Sequence, residues 1–77
     1  MKTQFTEPNF SDGIIEFRVD GDEIAIYATP DGLRWLAQKC LVLVDGRKKE
    51  HLHLGDYQVL TKASKPAVLA QFPSQSK

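Results

Sequence analysis

Residues 14–28, IIEFRVDGDEIAIYA, contain two strand-like segments separated by a tight turn. In residues 15–20 and again in residues 23–28, large apolar side chains recur at every second position, which is typical of strands with one buried face. Gly21-Asp22 between them has the composition of a hairpin turn. The sequence therefore predicts a β-hairpin. Its predicted inner face consists of Ile15, Phe17, Val19, Ile24 and Ile26.

The next stretch, TPDGLRWLAQKCLVLVDG starting at Thr29, predicts an amphipathic helix over residues 30–44. Thr29 can cap this helix, Pro30 suits the first helical position, and Asp31 complements the N-terminal dipole. Gly46 stands at the position where helices commonly end. Apolar residues at i, i+3, i+4 and i+7 spacing form the predicted core-facing stripe. This stripe consists of Leu33, Leu36, Ala37, Cys40, Leu41 and Val44.

Three segments after the helix complete the predicted sheet. Residues 51–54 alternate as a strand, residues 57–60 form a strand or an irregular edge, and residues 66–72 form the last strand, which Pro66 can begin. The order β-β-α-β-(β)-β favours a two-layer α+β fold, with one helix packed on a four- or five-stranded, mainly antiparallel sheet. We expect the helix stripe to pack on the hairpin's inner face and on the leucines of residues 51–54.

The chain has 77 residues, a length that allows one domain with a small core. We predict an N-terminal tail over residues 1–12, a single domain over residues 13–72 and a C-terminal tail over residues 73–77. No apolar run approaches the roughly 20 residues of a membrane span, and no signal-peptide pattern is visible. One cysteine excludes an internal disulfide. These features favour a cytoplasmic protein without membrane association.

The net charge is zero, but the charges are unevenly distributed. Residues 1–32 contain two basic and seven acidic side chains (net −5), and residues 33–77 contain eight basic and three acidic side chains (net +5). A neutral chain argues against nucleic-acid binding, because nucleic-acid binders are usually basic. The basic residues 47–49, with Lys62 and Lys65, nevertheless keep a small nucleic-acid-associated regulator open as an alternative.

The sequence predicts no enzyme, no catalytic residue and no cofactor. It contains no glycine-rich phosphate loop, no nucleophile elbow and no Ser-His-Asp order. Cys40 lies on the predicted apolar stripe, so we expect a buried thiol and not a nucleophile. The hairpin carboxylates could form an acidic pair, but a solvated sheet face accounts for them. They are Glu16, Asp20, Asp22 and Glu23.

His51 and His53 are two residues apart in a predicted strand, so both imidazoles lie on the same face. Such a pair suits a metal site if Glu50 or Asp56 adds an oxygen ligand, and it also suits a partner contact. The solvent side of an amphipathic strand explains the pair without either role. We predict a metal-free pair on the sheet face that points away from the helix.

Three motifs resemble a family of small immunity proteins from bacterial polymorphic toxin systems. They are the strand pair IIEFRVDGDEIAIYAT, the helix motif Gly32-Leu33-x-Trp35-Leu36-Ala37, and HLHL starting at His51. The resemblance spans residues 14–72. It implies an α+β fold and a protein that binds and neutralises a co-produced toxin.

The open face of the predicted sheet is the expected toxin-binding surface. Its candidate residues are Glu16, Arg18, Asp22, Trp35, His51 and His53. We expect a monomer or a homodimer. A homo-oligomeric structural module that pairs exposed sheet edges is a further alternative to the toxin inhibitor.

Overall fold

The computed structural model describes residues 7–46 and 50–72, and it confirms an α+β fold. Residues 1–6 of the predicted N-terminal tail, the whole predicted C-terminal tail (73–77) and the basic residues 47–49 lie outside the described residues. The described elements are strand β1 (Ile15–Asp20), strand β2 (Glu23–Ala28), helix α1 (Pro30–Gly46), strand β3 (Glu50–His53), a 3₁₀ turn (Leu54–Tyr57) and strand β4 (Val68–Gln71). Within the described residues, no helix has the length and hydrophobicity that a membrane span requires.

The predicted hairpin is confirmed. Strands β1 and β2 pair antiparallel through a tight turn, in which Gly21 adopts a φ of 62°. This left-handed conformation favours glycine, because glycine has no Cβ. The register places Phe17 opposite Ile26 and Val19 opposite Ile24, so the apolar residues share one face as the alternation predicts.

The start of helix α1 also follows the sequence. The side-chain oxygen of Thr29 accepts a hydrogen bond from the Gly32 N–H at 3.0 Å, and the Thr29 carbonyl accepts one from the Leu33 N–H at 2.9 Å. Thr29 is therefore the N-cap, and Pro30 is the first helical residue. The helix continues through Gly46, two residues beyond the predicted end at 44.

Gly32 determines which face of α1 points inward. A Cβ at this position would run into the carbonyl oxygen of Ile14 and lie 3.1 Å from the Ile15 side chain and 3.2 Å from that of Ala28. Glycine is a poor helix former, but here it lets the helix approach the open end of the hairpin. Because Gly32 must face the hairpin, the inward face continues to Leu36 and Leu43 at i+4 and i+11.

The predicted helix phase is wrong. Leu43, outside the predicted stripe, is buried with 5% of its surface exposed, and Leu36 is half-buried. The other five members of the predicted stripe are exposed; we call them the exposed stripe. They are Leu33, Ala37, Cys40, Leu41 and Val44. The sequence misleads because α1 has apolar residues on two sides, and the contact of Gly32 with the hairpin, which favours one of them, is not visible in the sequence. The expectation of a buried Cys40 thiol is overturned with it.

The tip of the hairpin is likewise uncovered, which corrects the predicted core. Val19 is 60% exposed, Ile24 78% and Ile26 49%, and we call these three residues the hairpin patch. Helix α1 contacts the hairpin through Gly32, beside Ile15 and Ala28 at the end opposite the turn. The patch lies toward the turn, beyond this contact.

The structure contains two two-stranded antiparallel sheets, β1–β2 and β3–β4, in place of the predicted four- or five-stranded sheet. Residues 59–65 lie along the second edge of β1. Ile15 donates its N–H to the Val59 carbonyl at 3.1 Å and accepts from the Thr61 N–H at 2.9 Å. Further along, the Phe17 N–H donates to the side-chain oxygen of Ser64 at 2.9 Å. This irregular segment, with one isolated parallel bridge at Leu60, occupies the edge that β3 would need.

Helix α1 packs on the second sheet through its C-terminal half. The side-chain amide of Gln71 in β4 donates to the Leu43 carbonyl at 2.6 Å. Among the described hydrophobic residues, Ile15 and Leu54 are fully buried, and Leu43 is buried with 5% of its surface exposed. The buried core is therefore small, and its residues come from the start of β1, from helix α1 and from the start of the 3₁₀ turn.

Candidate functional site

The six predicted partner-binding residues do not share one face. Glu16 and Arg18 lie on β1, Asp22 lies in the hairpin turn, and Trp35 lies on α1. The two histidines lie on β3, which belongs to the other sheet. A common open face would require β1 and β3 to pair, and residues 59–65 stand in that place.

Glu16 is buried, with 2% of its surface exposed, although its alternation in β1 predicts a solvent-facing carboxylate. The Thr61 hydroxyl donates to one carboxylate oxygen at 2.6 Å, and the Arg18 Nε donates to the other at 2.5 Å. The hydrogen bond from Thr61 and then that from Arg18 hold the pKa of Glu16 below its ordinary value, against the opposing effect of burial. Glu16 is therefore an internal anion.

The hydrogen-bonded set continues across the hairpin. The Arg18 guanidinium carbon lies 4.5 Å from the centre of the Tyr27 ring, within cation–π range. The Tyr27 hydroxyl donates to Asp20 at 3.0 Å. Desolvation, and after it this hydrogen bond, raise the pKa of Tyr27. Glu16, Arg18, Tyr27, Asp20 and Thr61 form what we call the polar network, which joins the hairpin to the segment that follows the 3₁₀ turn.

The histidine pair is exposed. The ring centroids of His51 and His53 lie 5.0 Å apart, with nearly perpendicular planes. His51 lies opposite Ala70 and His53 lies opposite Val68. Leu52 pairs with Leu69, and the side chains of this pair lie on the other face of the sheet. Gln71, which contacts the helix, shares the side of Leu52, so the histidines point away from α1 as predicted. The described residues contain no cluster of three or more His, Cys, Asp or Glu suited to a metal ion.

Trp35 belongs to a compact aromatic cluster that also contains Tyr57 and Lys39. The two rings meet edge to face with centroids 5.4 Å apart. The Lys39 Nζ lies 4.8 Å from the centre of the Tyr57 ring and 5.4 Å from that of Trp35. Trp35 is half-buried and Tyr57 is 40% exposed, so the rings are held in place while an apolar surface remains accessible.

The sequence motif predicts Trp35 as a contact residue but does not predict Tyr57 in this role. Tyr57 is distant in the chain and reaches α1 only because a 3₁₀ turn follows β3. No local pattern predicts that contact. The turn ends at Gln58, whose φ of 59° sends the chain back toward β1.

A family model described as Immunity protein 32 matches residues 23–72, about two-thirds of the chain. The chain belongs to the Immunity protein 32 family. The matched region contains β2, helix α1, the aromatic cluster and the histidine pair, so the resemblance predicted from the sequence motifs is confirmed. No curated protein and no solved structure matches the chain.

Membership of the Immunity protein 32 family connects the chain with protection against a toxin. Proteins of immunity families generally act without catalysing a reaction. The aromatic cluster and the histidine pair are the candidate contact surfaces within the matched region.

Proposed function

We propose that this protein binds a co-produced bacterial toxin in the cytoplasm and neutralises it by direct contact, without turnover. The observation that carries the proposal is the family match, which spans helix α1 and the elements that support the aromatic cluster. Occlusion needs a stable, complementary surface and no reacting group. The α+β scaffold can supply such a surface.

The aromatic cluster is the proposed centre of the toxin contact. Tryptophan and tyrosine are enriched at binding hot spots, because they bury a large area with few rotatable bonds. In this cluster the Lys39 side chain and the edge-to-face packing restrict both rings before binding. Pre-organised side chains lose less conformational entropy on association, which favours affinity.

Other predicted contacts contribute from the periphery in this proposal. Asp22 is exposed in the hairpin turn beside the exposed Glu23, and together they present negative charge that would speed encounter with a basic toxin. His51 and His53 offer exposed polar contacts on the β3–β4 sheet. Glu16 and Arg18 support the hairpin from within the polar network and are not proposed as toxin contacts.

Calorimetric titration with the toxin protein encoded beside this chain's gene tests the function. The wild-type chain should bind with a defined stoichiometry and protect cells that express the toxin. Tyr57→Ala should weaken binding at least about tenfold, because it removes a hot-spot ring that is partly exposed. Circular dichroism of the variant checks that its fold is retained.

His53→Ala is the matched control, because it removes an exposed ring from the face of the β3–β4 sheet that points away from α1. We expect it to change the dissociation constant less than about threefold. Strong weakening by His53→Ala with no effect of Tyr57→Ala would move the contact to the β3–β4 face. No binding and no protection by the wild-type chain would refute the proposed function.

A further inference from the structure

Strand β2 has an open edge. In an antiparallel pair, residues whose main-chain groups point to the partner strand alternate with residues whose groups point outward. In β1 the outward residues are Ile15 and Phe17, because their main-chain groups bond with residues 59–65. The register pairs Phe17 with Ile26, so the N–H and C=O groups of Ile26, and of Ile24 two residues before it, point away from β1. No described residue bonds to these four groups.

The two edges of the hairpin differ in their protection. Residues 59–65 cover the β1 edge, whereas β2 has none of the usual features that keep an edge strand from pairing. It contains no proline and no lysine, and its six residues pair with β1 in an unbroken register without a bulge. Ile24 is 78% exposed and Ile26 is 49% exposed, so the apolar side chains beside the edge are also uncovered. An edge of this kind is ready to accept a further strand.

The spacing of these main-chain groups selects the shape of the partner. Ile24 and Ile26 are two residues apart in a strand, which places their outward N–H groups about 7 Å apart. Donors and acceptors at this spacing match the main chain of another extended segment, and peptides that add a strand to a sheet edge bind in this way. Alternate side chains of the added strand would then lie beside Ile24 and Ile26, where apolar side chains contact one another across neighbouring strands.

The charge of the hairpin selects the chemistry of the partner. Residues 15–28 contain four acidic side chains and one basic side chain, which gives a net charge of −3. Three of the four carboxylates, those of Asp20, Asp22 and Glu23, lie at the turn end of the hairpin. A strand with basic residues near the turn is therefore attracted, whereas the β2 strand of a second copy would bring two acidic hairpins together.

We propose that the toxin adds a strand to the β2 edge, with apolar side chains at alternate positions beside the hairpin patch and basic side chains near the turn. This inference rests on the proposed function, because the toxin is the partner that supplies the strand. It adds a second kind of contact to that of the aromatic cluster. The main-chain hydrogen bonds contribute affinity, and the apolar and charged side chains on either side of them contribute specificity.

Amide hydrogen exchange of the full chain, with and without the toxin encoded beside its gene, tests the added strand. In the free chain, the Ile24 and Ile26 amides should exchange within about tenfold of the unfolded-chain rate, because no described group accepts their protons. In the complex both should slow by at least about a hundredfold, because each gains an acceptor. The Ala25 amide, which faces Arg18 in β1, is the internal control and should be protected in both states.

A proline in the edge strand tests the same contact by binding. Ile24→Pro removes an outward N–H and blocks the approach of a strand, and a sheet edge tolerates proline. It should weaken toxin binding at least about tenfold with an unchanged circular dichroism spectrum. Ile24→Ala, the matched control, keeps the N–H and should weaken binding less than about fivefold, because it removes one cross-strand side-chain contact. The exchange measurement needs no substitution, so it decides the question even where Ile24→Pro lowers stability.

Toxin binding with Ile24 and Ile26 amides that exchange as fast as in the free chain would overturn the added strand and leave the proposed function intact. Protection of both amides in the free chain would also overturn it. Protection that grows with protein concentration would assign the edge to a second copy, and protection independent of concentration would assign it to another segment of this chain. A wild-type chain that does not bind the toxin would instead refute the proposed function itself.

Discussion

The polar network of the hairpin and the exposed stripe of α1 both depart from the burial that sequence spacing predicts, and they depart in opposite directions. Glu16 has the alternation of a solvent-facing residue, yet it is buried and hydrogen-bonded to two partners. Leu41 has the spacing of a core residue, yet it is 62% exposed. Burial therefore depends on what lies over each face. Residues 59–65 lie along β1 and reach Glu16 through Thr61, whereas no described residue covers the stripe.

The strongest test of this contrast compares two leucines on the same helix. Leu43→Ala should lower the free energy of unfolding by about 3 kcal/mol, because it leaves a cavity in the small buried core. Leu41→Ala should change it by less than about 0.5 kcal/mol, because Leu41 is 62% exposed. Urea denaturation gives both values. A larger loss of unfolding free energy for Leu41→Ala than for Leu43→Ala would support the helix phase predicted from the sequence.

The polar network should be more costly to break than an exposed carboxylate. Glu16→Ala should destabilise the fold by about 2 kcal/mol, because it leaves Arg18 and Thr61 without their shared acceptor. Asp22→Ala, in the exposed turn, should change stability by less than about 0.5 kcal/mol. Thermal unfolding followed by circular dichroism measures the difference. Equal effects of the two substitutions would mean that Glu16 is not an internal anion.

Gly32 links the two regions, because it fixes the helix against the hairpin. Gly32→Ala should destabilise by about 1–2 kcal/mol despite the better helix propensity of alanine, since the added Cβ meets the Ile14 backbone. Gly55→Ala adds the same methyl group where no atom lies within 4 Å and should be nearly neutral. Chemical denaturation of both variants distinguishes them, and a stabilised Gly32→Ala would contradict the close approach.

The pH dependence of stability gives the finest test of the polar network. Thr61 and Arg18 lower the pKa of Glu16 from its ordinary value of 4.5, so Glu16 stabilises the fold above that value. This contribution is lost as the pH falls through the lower folded-state pKa. We expect the melting temperature to fall less steeply in acid for Glu16→Gln than for the wild type. An acid dependence that is equally steep in Glu16→Gln and the wild type would contradict the lowered pKa of Glu16.

The sequence predicts those features that local chemistry determines. The hairpin follows from alternation and Gly21, the helix start follows from Thr29, and the side of β3 that carries the histidines follows from its period of two. The helix phase does not follow, because α1 is apolar on two sides and Gly32 looks only like a weak helix former until its contact with Ile14 is seen.

The predicted sheet fails for a related reason. Ser64 accepts a hydrogen bond that a strand carbonyl would otherwise accept from Phe17, and no strand pattern anticipates a side chain in that place. Of the candidate toxin contacts, Trp35 follows from its sequence motif. Its contact with Tyr57 depends on the 3₁₀ turn, and no local sequence pattern predicts that contact.

The reactivity of the Cys40 thiol measures whether the exposed stripe lies outside the core of the chain. Cys40 is the only cysteine, so Ellman's reagent reports the stripe without any substitution. We predict a reaction rate within about tenfold of that of the unfolded chain, because Cys40 is exposed. A rate slowed about a thousandfold, as for a thiol exposed only by unfolding, would place the stripe in the core.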